Sequence, residues 1–213
     1  MIAEIKRRSP SKGELLRDWT IDDLGDFYVT GGASAISVLT DTDHFGGSVS
    51  DLTSTASRVS LPILRKDFTV SINDVLDTAE MGASCVLLIV AALSSEELAE
   101  LTHVAGDIGL DCLVEVHDEA EAWSALEVGA SMIGVNQRDL HTFEVDPDRA
   151  QRVAASLPDE VIRVAESGFH SSEQVALAAA AGFDAVLVGE AFVTAADPVA
   201  TLRSFVGHPI GGR

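Results

Sequence analysis

Basic side chains are scarce in this chain: 14 Lys and Arg stand against 34 Asp and Glu, for a formal charge of −20. So acidic a surface repels a phosphate backbone or an anionic bilayer over most of its area, which excludes nucleic-acid and membrane-surface binding as its main work. Cysteine is nearly absent. Cys85 and Cys112 both fall in apolar strand-like runs and read as small buried hydrophobes of a protein in a reducing compartment, not as a disulfide framework or a redox pair. The six histidines, His44, His103, His117, His141, His170 and His208, show none of the short paired spacings that metal sites favour, so no metal is expected. Long apolar runs are missing too. The longest, Cys85 to Leu93, is about half of what a bilayer crossing needs and reads as a strand buried on both faces. The first residues carry Glu4 and Lys6 where a signal peptide requires an apolar core, so a cytoplasmic location is expected. No glycine-rich dinucleotide fingerprint follows the first strand, and neither a Gly-x-Ser-x-Gly elbow nor a P-loop occurs.

What remains is ample for a core. At 213 residues and 46% hydrophobic, one globular domain spanning 1–213 is expected, with no linker and no low-complexity run. Four segments repeat one another: Gly31 to Leu39, Met81 to Leu88, Val128 to Val135 and Ala181 to Val188. In each, a glycine stands where a helix C-cap needs positive φ, and an apolar strand follows. Those glycines lie at 32, 82, 129 and 182, at spacings of 50, 47 and 53 residues, about twice one strand-plus-helix unit. Four more strand candidates fall between or before them: Ile2 to Lys6, Leu61 to Lys66, Asp111 to Val116 and Val161 to Ala165. Helical patterns separate the strands over Asp22 to Thr30, Ile72 to Met81, Ser95 to Ile108, Glu119 to Val128, Asp148 to Ser156 and Ser172 to Ala181, several of them opened by a Ser or Asp N-cap. Eight buried strands, each followed by a helix, predict an α/β fold of the (β/α)8 barrel type, a closed parallel sheet rather than an open doubly wound one.

In such a barrel, chemistry belongs at the C-terminal strand ends. The first strand places Glu4 and Lys6 two apart, on one face of an extended chain, before Ser9-Pro10-Ser11-Lys12-Gly13 turns it out of the sheet. The other ends supply Thr40 and Asp41, Lys66 and Asp67, Ala91, Glu115, Asn136 and Arg138, Glu166 and Ser167, and Gly189 and Glu190. A single lysine or glutamate there is ordinarily a solvated rim residue; two lysines, three glutamates and an asparagine from different strands make a catalytic ring. Lys66 among carboxylates keeps its proton by Coulomb attraction against the opposing pull of burial, as a general acid requires, and can protonate a carbonyl oxygen. Glu115 can remove or return a proton. Glu166-Ser167-Gly168 and Val188-Gly189-Glu190 end the seventh and eighth strands, the frequent phosphate position of barrels, although glycines that merely form turns fit the same pattern. The bases Lys6, Arg7, Arg8, Lys12, Arg65, Lys66 and Arg138 crowd these ends and predict a local basic spot for a small anion such as phosphate.

Several stretches resemble the indole-3-glycerol phosphate synthase family of tryptophan biosynthesis: Ile2 to Gly13, Ser37 to Thr40, Phe45 to Ser48, Leu61 to Phe68, Leu113 to His117, Ile133 to Leu140, Val164 to Gly168 and Val188 to Ala191. They run in order across essentially the whole chain. The resemblance implies ring closure, decarboxylation and dehydration of 1-(2-carboxyphenylamino)-1-deoxyribulose 5-phosphate to indole-3-glycerol phosphate, with no cofactor. It implies Lys66 as the acid of ring closure and Glu115 as the acid/base of dehydration. Glu4, Lys6 and Asn136 orient and stabilise the intermediate, and Glu166 supports the cluster. By the same likeness, phosphate lies against Ser167, Gly168, Gly189 and Glu190 with help from Lys6 and Ser9, and Phe68 and Leu140 flank the aromatic ring, with Arg138 a further substrate-binding residue. The implied partners are a small phosphorylated substrate and other tryptophan-pathway enzymes.

Two departures from the family pattern carry expectations. Members usually bear helices ahead of the first strand, whereas here Met1 abuts Ile2-Ala3-Glu4. Either the start is truncated or misassigned, or the barrel stands alone with a more open site, a weaker KM and lower stability. The acidic balance disfavours anion capture at low salt. A phosphoribosylanthranilate isomerase-like barrel is the second reading; it would call for a cysteine and aspartate at strand ends, which Cys85 and Cys112 do not supply. A barrel that binds phosphate ligands or a partner enzyme without turnover is the third.

Overall fold

A computed structural model describes residues 1–138 and 144–208. Eight parallel strands close on themselves: β1 (Ile2–Ile5), β2 (Ala35–Leu39), β3 (Ile63–Lys66), β4 (Cys85–Ile89), β5 (Asp111–Val116), β6 (Met132–Asn136), β7 (Ile162–Glu166) and β8 (Ala185–Val188). Each hydrogen-bonds to the next in sequence, and β8 returns to β1 with Ile2 opposite Leu187. The predicted (β/α)8 barrel is therefore the observed fold.

Around it lie α1 (Ile21–Gly31), α2 (Val49–Arg58), α3 (Ile72–Glu80), α4 (Ser95–Asp107), α5 (Glu119–Glu127), α6 (Pro147–Ser156), α7 (Ser172–Ala180), the single turn α8 (Glu190–Val193) and α9 (Pro198–Phe205). Their starts follow local chemistry. Thr20 with Asp23, Ser94 with Glu97 and Ser171 with Gln174 form reciprocal capping boxes that satisfy orphan N–H donors. Their ends follow the repeat: Gly32, Gly82, Gly129 and Gly182 have φ of 94°, 87°, 77° and 86°, the left-handed turn expected of them. Helices α2 and α9 lie outside the helical patterns read in the sequence. In α2 the run Ser50-Asp51-Leu52-Thr53-Ser54-Thr55 is held by the Ser48 cap and by Thr55 donating to the Asp51 carbonyl (2.8 Å). The turn after β1 is a small hairpin, Arg8–Ser9 against Gly13–Glu14, with Gly13 at φ 69°.

Strand alternation sends every second residue outward. Ala3, Ile5, Ile36, Val38, Val114 and Val116 join the large core under the helices, while Leu64, Leu87, Leu113, Val164 and Leu187 fill the barrel itself. Cys85, first in β4, and Cys112, second in β5, are half-buried rather than fully buried. Burial still pushes both thiols above their ordinary value, which keeps them unreactive. Tyr28 of α1 is fully buried and donates its hydroxyl to the Glu4 carbonyl at 2.9 Å, tying a helix to the end of β1. Among the described residues no helix is long and apolar enough to cross a membrane.

Candidate active site

The inward residues of the odd-numbered strands stack in fours, as side chains of alternate strands do in such barrels. Ile2, Leu64, Leu113 and Val164 make an apolar layer. Two residues further along the same strands stand Glu4, Lys66, Glu115 and Glu166. This second layer is the floor of an open cavity at the C-terminal face of the barrel.

Lys66 is its centre. The ammonium donates to Glu115 Oε2 at 2.9 Å and lies 3.6 Å from Glu166 Oε2. Burial alone would lower its affinity for a proton, but Glu115, Glu166 and Glu4 outweigh that and hold its pKa well above the ordinary lysine value. The two carboxylates around it are pushed apart. Burial raises Glu166 to about 8, with Glu115 and Glu4 adding to the rise and Lys66 opposing it. Glu115 shares the burial but is held below the usual carboxylate range by Lys66 and by the amide of Asn136, which donates to its Oε1 at 3.0 Å. Environments that separate two carboxyl groups in this way assign them different proton-transfer roles.

Room for these carboxylates is made by missing side chains. A methyl group built at Gly134 in β6 would overlap Glu166 Oε1, and one at Gly189 would lie 2.5 Å from Glu4 Oε1. Neither glycine has positive φ, so close approach is the reason for both. Asn136 is fixed from three sides: its Oδ1 accepts from the Arg138 backbone N–H (3.0 Å) and from the Ser167 hydroxyl (2.8 Å), opposite the bond to Glu115. Ser167 itself is held at φ 69° and is followed by Gly168 at 79°, a strained turn of the kind that clusters at functional sites.

Thirteen residues picked out in the sequence line this cavity: Glu4, Lys6, Ser9, Lys66, Phe68, Glu115, Asn136, Arg138, Glu166, Ser167, Gly168, Gly189 and Glu190. Leu140 lies outside the described residues. Glu4 and Lys6 form the expected same-face pair, at 2.6 Å. The basic spot is corrected. Arg7 is bound to Asp51 (2.9 and 2.6 Å), Arg8 to the Thr42 and Asp43 carbonyls, and Arg65 to Thr40, Thr78, Asp67 and the Asp74 carbonyl, so these three guanidinium groups are committed to holding loops and strand ends. Lys12 reaches across to Glu190 at 2.5 Å. Of the strand-end residues, Asp41 and Asp67 reach the cavity, while Thr40 and Ala91 do not. Phe45, Leu87, Ile89, Phe169 and Leu187 supply the apolar wall; for Leu87, Ile89 and Leu187 the period-two alternation already carried that signal. His117 stands behind Glu115, its Nε2 3.5 Å from Glu115 Oε1, and no spacing rule pointed to it. Among the described residues no group of three His, Cys, Asp or Glu could hold a metal ion.

Comparison with known proteins shows the family. The sequence pattern of the family described as indole-3-glycerol phosphate synthase matches residues 1–205. The indole-3-glycerol phosphate synthase of Leifsonia xyli subsp. xyli is 50% identical over 207 residues, covering 97% of this chain and 79% of that protein. That of Nocardioides sp. is 47% identical over 207 residues, with 97% and 80% covered. Among solved structures, 3-hexulose-6-phosphate synthase from Salmonella typhimurium superposes with a TM-score of 0.74 at 16% identity, covering 96% of each chain, a likeness of fold. The chain thus belongs to the indole-3-glycerol phosphate synthase family, and its reaction is the closure, decarboxylation and dehydration of 1-(2-carboxyphenylamino)-1-deoxyribulose 5-phosphate to indole-3-glycerol phosphate.

Proposed function

We propose that Lys66 is the general acid of ring closure and Glu115 the proton acceptor of dehydration. The observation that carries this is the 2.9 Å ion pair joining the largely buried lysine to the buried carboxylate. When the aromatic ring attacks the ketone carbon, negative charge gathers on the ketone oxygen; a protonated lysine at the cavity floor neutralises it where the dielectric is low. Loss of carbon dioxide returns the bond pair to the ring. Glu115, ionised and held by Lys66 and Asn136, then takes the methylene proton once the hydroxyl has left as water. Glu166 keeps the lysine in place and lends a protonated carboxyl near neutrality, and Glu4 with Lys6 orients the intermediate. The phosphate is assigned to the turn Ser167-Gly168 and to Gly189, Glu190, Lys6 and Ser9; the Ser9 hydroxyl is buried and without a hydrogen-bond partner, as a group awaiting an acceptor would be. Phe68, half-exposed at the mouth, and Arg138 meet the aromatic end. The reading places the enzyme in the cytoplasm as one barrel domain over the whole chain, in contact with other enzymes of its pathway.

The test is fluorescence-monitored formation of indole-3-glycerol phosphate. Lys66→Ala is expected to lose about 10³-fold or more in kcat while its circular dichroism remains that of the parent. Turnover within a few-fold of the parent would undo the assignment.

A further inference from the structure

His117 stands behind the cavity floor with its ring against Glu115, and the proposed steps leave it unused. Its Nδ1 lies 3.0 Å from Glu121 Oε2, and the same oxygen accepts the His117 backbone N–H at 2.7 Å. A carboxylate only accepts, so Nδ1 carries hydrogen. The other ring nitrogen, Nε2, is buried, has no hydrogen-bond partner, and faces Glu115 Oε1 at 3.5 Å. A neutral ring would aim a bare lone pair at an anion there, whereas a protonated ring supplies a donor to it, and such contacts in an empty site tighten when substrate binds. The charged groups around the ring are Glu115 on its own strand, Glu121 on α5 and Arg149 on α6. Burial and Arg149 oppose the positive charge; the two carboxylates outweigh them and raise the imidazole pKa.

The reaction needs a stored proton. Its ketone oxygen leaves as water, which takes up two protons, while the methylene carbon gives up one. The carboxylate departs as carbon dioxide and leaves its electron pair with the ring. One proton per turnover is therefore drawn from outside the substrate. Lys66 and Glu115 exchange the methylene proton between themselves at 2.9 Å, yet Glu115 is 2% and Lys66 15% exposed by side chain, and a substrate filling the cavity covers their open side.

From this geometry we infer that His117 is a proton-holding positioning residue: its Nε2–H is passed to Glu115 Oε1 and on to the hydroxyl, which leaves as water, after which Glu115, ionised again, takes the methylene proton and hands it to Lys66. The proton the reaction consumes thus comes from His117, and Glu121 anchors the ring for that transfer. Re-protonation follows product release, when water refills the cavity and the transfer runs backwards through Glu115. The inference rests on the assignment of Lys66 and Glu115 above.

The experiment is rapid-mixing single turnover in weak buffer, with indole fluorescence and a pH-indicator dye read together, on the parent, His117→Asn, Glu121→Gln and Glu115→Gln. In the parent, indole formation is expected to precede proton uptake. In His117→Asn it slows about tenfold to a hundredfold, tracks proton uptake and leaves KM unchanged. Glu121→Gln keeps an acceptor for both N–H groups but loses the charge, so the alkaline limb of its kcat profile moves to lower pH. Parental rate and pH profile in His117→Asn, or an equal loss at every pH with a raised KM, would overturn the inference while an inactive Glu115→Gln leaves the roles of Lys66 and Glu115 standing. An active Glu115→Gln would instead remove the base assignment and the inference with it.

Discussion

Two neighbouring layers of the barrel interior come from the same four strands, two residues apart, and are opposites in chemistry. Ile2, Leu64, Leu113 and Val164 are apolar and packed; Glu4, Lys66, Glu115 and Glu166 are ionisable, the three carboxyl residues almost as deeply buried and Lys66 less so. The lower layer stabilises by removing surface from water, roughly 25 cal/mol for each Å². The upper layer must first overcome the cost of dehydrating its charges, and does so with ion pairs and amide donors that leave one carboxyl, Glu166, reluctant to ionise. Stability is thus concentrated below and the proposed chemistry above, and the strand pleat delivers both from one short run of sequence.

Leu113→Ala strikes the lower layer alone. It is expected to cost about 2–5 kcal/mol in denaturant unfolding, while turnover per folded molecule at low temperature stays within a few-fold of the parent; a loss of activity matching that of the charged layer would erase the division. Gly134→Ala tests the seam between layers. The added methyl overlaps Glu166 Oε1, so about 1–3 kcal/mol of stability should go together with roughly tenfold in kcat as Glu166 and Lys66 shift, read by unfolding and by steady-state assay. Smallest is a change in pH dependence. The native Glu166 carboxyl binds a proton more tightly than the unfolded one, so from the unfolded value of 4.5 to about 8 the native state holds the excess proton and stability falls as pH rises. Glu115 has the opposite sign, giving stability above its unfolded value that is lost in acid, and the Lys66 contribution is lost only above its unfolded value of 10.5. Glu166→Gln should therefore flatten the stability profile between pH 5 and 8, with a gain of about 1–2 kcal/mol at the upper end; an unchanged slope would mean that Glu166 ionises freely in the fold.

Much of this was legible in the chain. The four repeated glycines fixed the strand-helix count because left-handed caps are a local requirement, and the charged strand ends fixed the cavity floor because alternation dictates facing. Boundaries moved by a residue or two, β1 ending at Ile5 and β7 running from Ile162 to Glu166. Helix α2 escaped notice because Ser and Thr dominate it and its stability comes from a cap and from packing of Leu52. The misjudged bases, Arg7, Arg8 and Arg65, show the limit of counting charges: which carboxylate or carbonyl a guanidinium meets is settled by contacts between segments 2 to 44 residues apart. His117 and Gly134 were silent for the same reason, since their roles depend on which side chain stands next to them across the barrel.

The chain contains a single tyrosine, and the bond from its hydroxyl to the Glu4 carbonyl makes it a spectroscopic label already in place. Burial, and then the nearby Glu4, push the Tyr28 phenol well above its ordinary value, so the native protein shows no phenolate absorbance in mild alkali. Once the barrel opens, the ring ionises at the pH of a free phenol. Ultraviolet absorbance at high pH therefore counts opened molecules directly, from a residue bonded to the strand end that carries the first carboxylate of the ionisable layer.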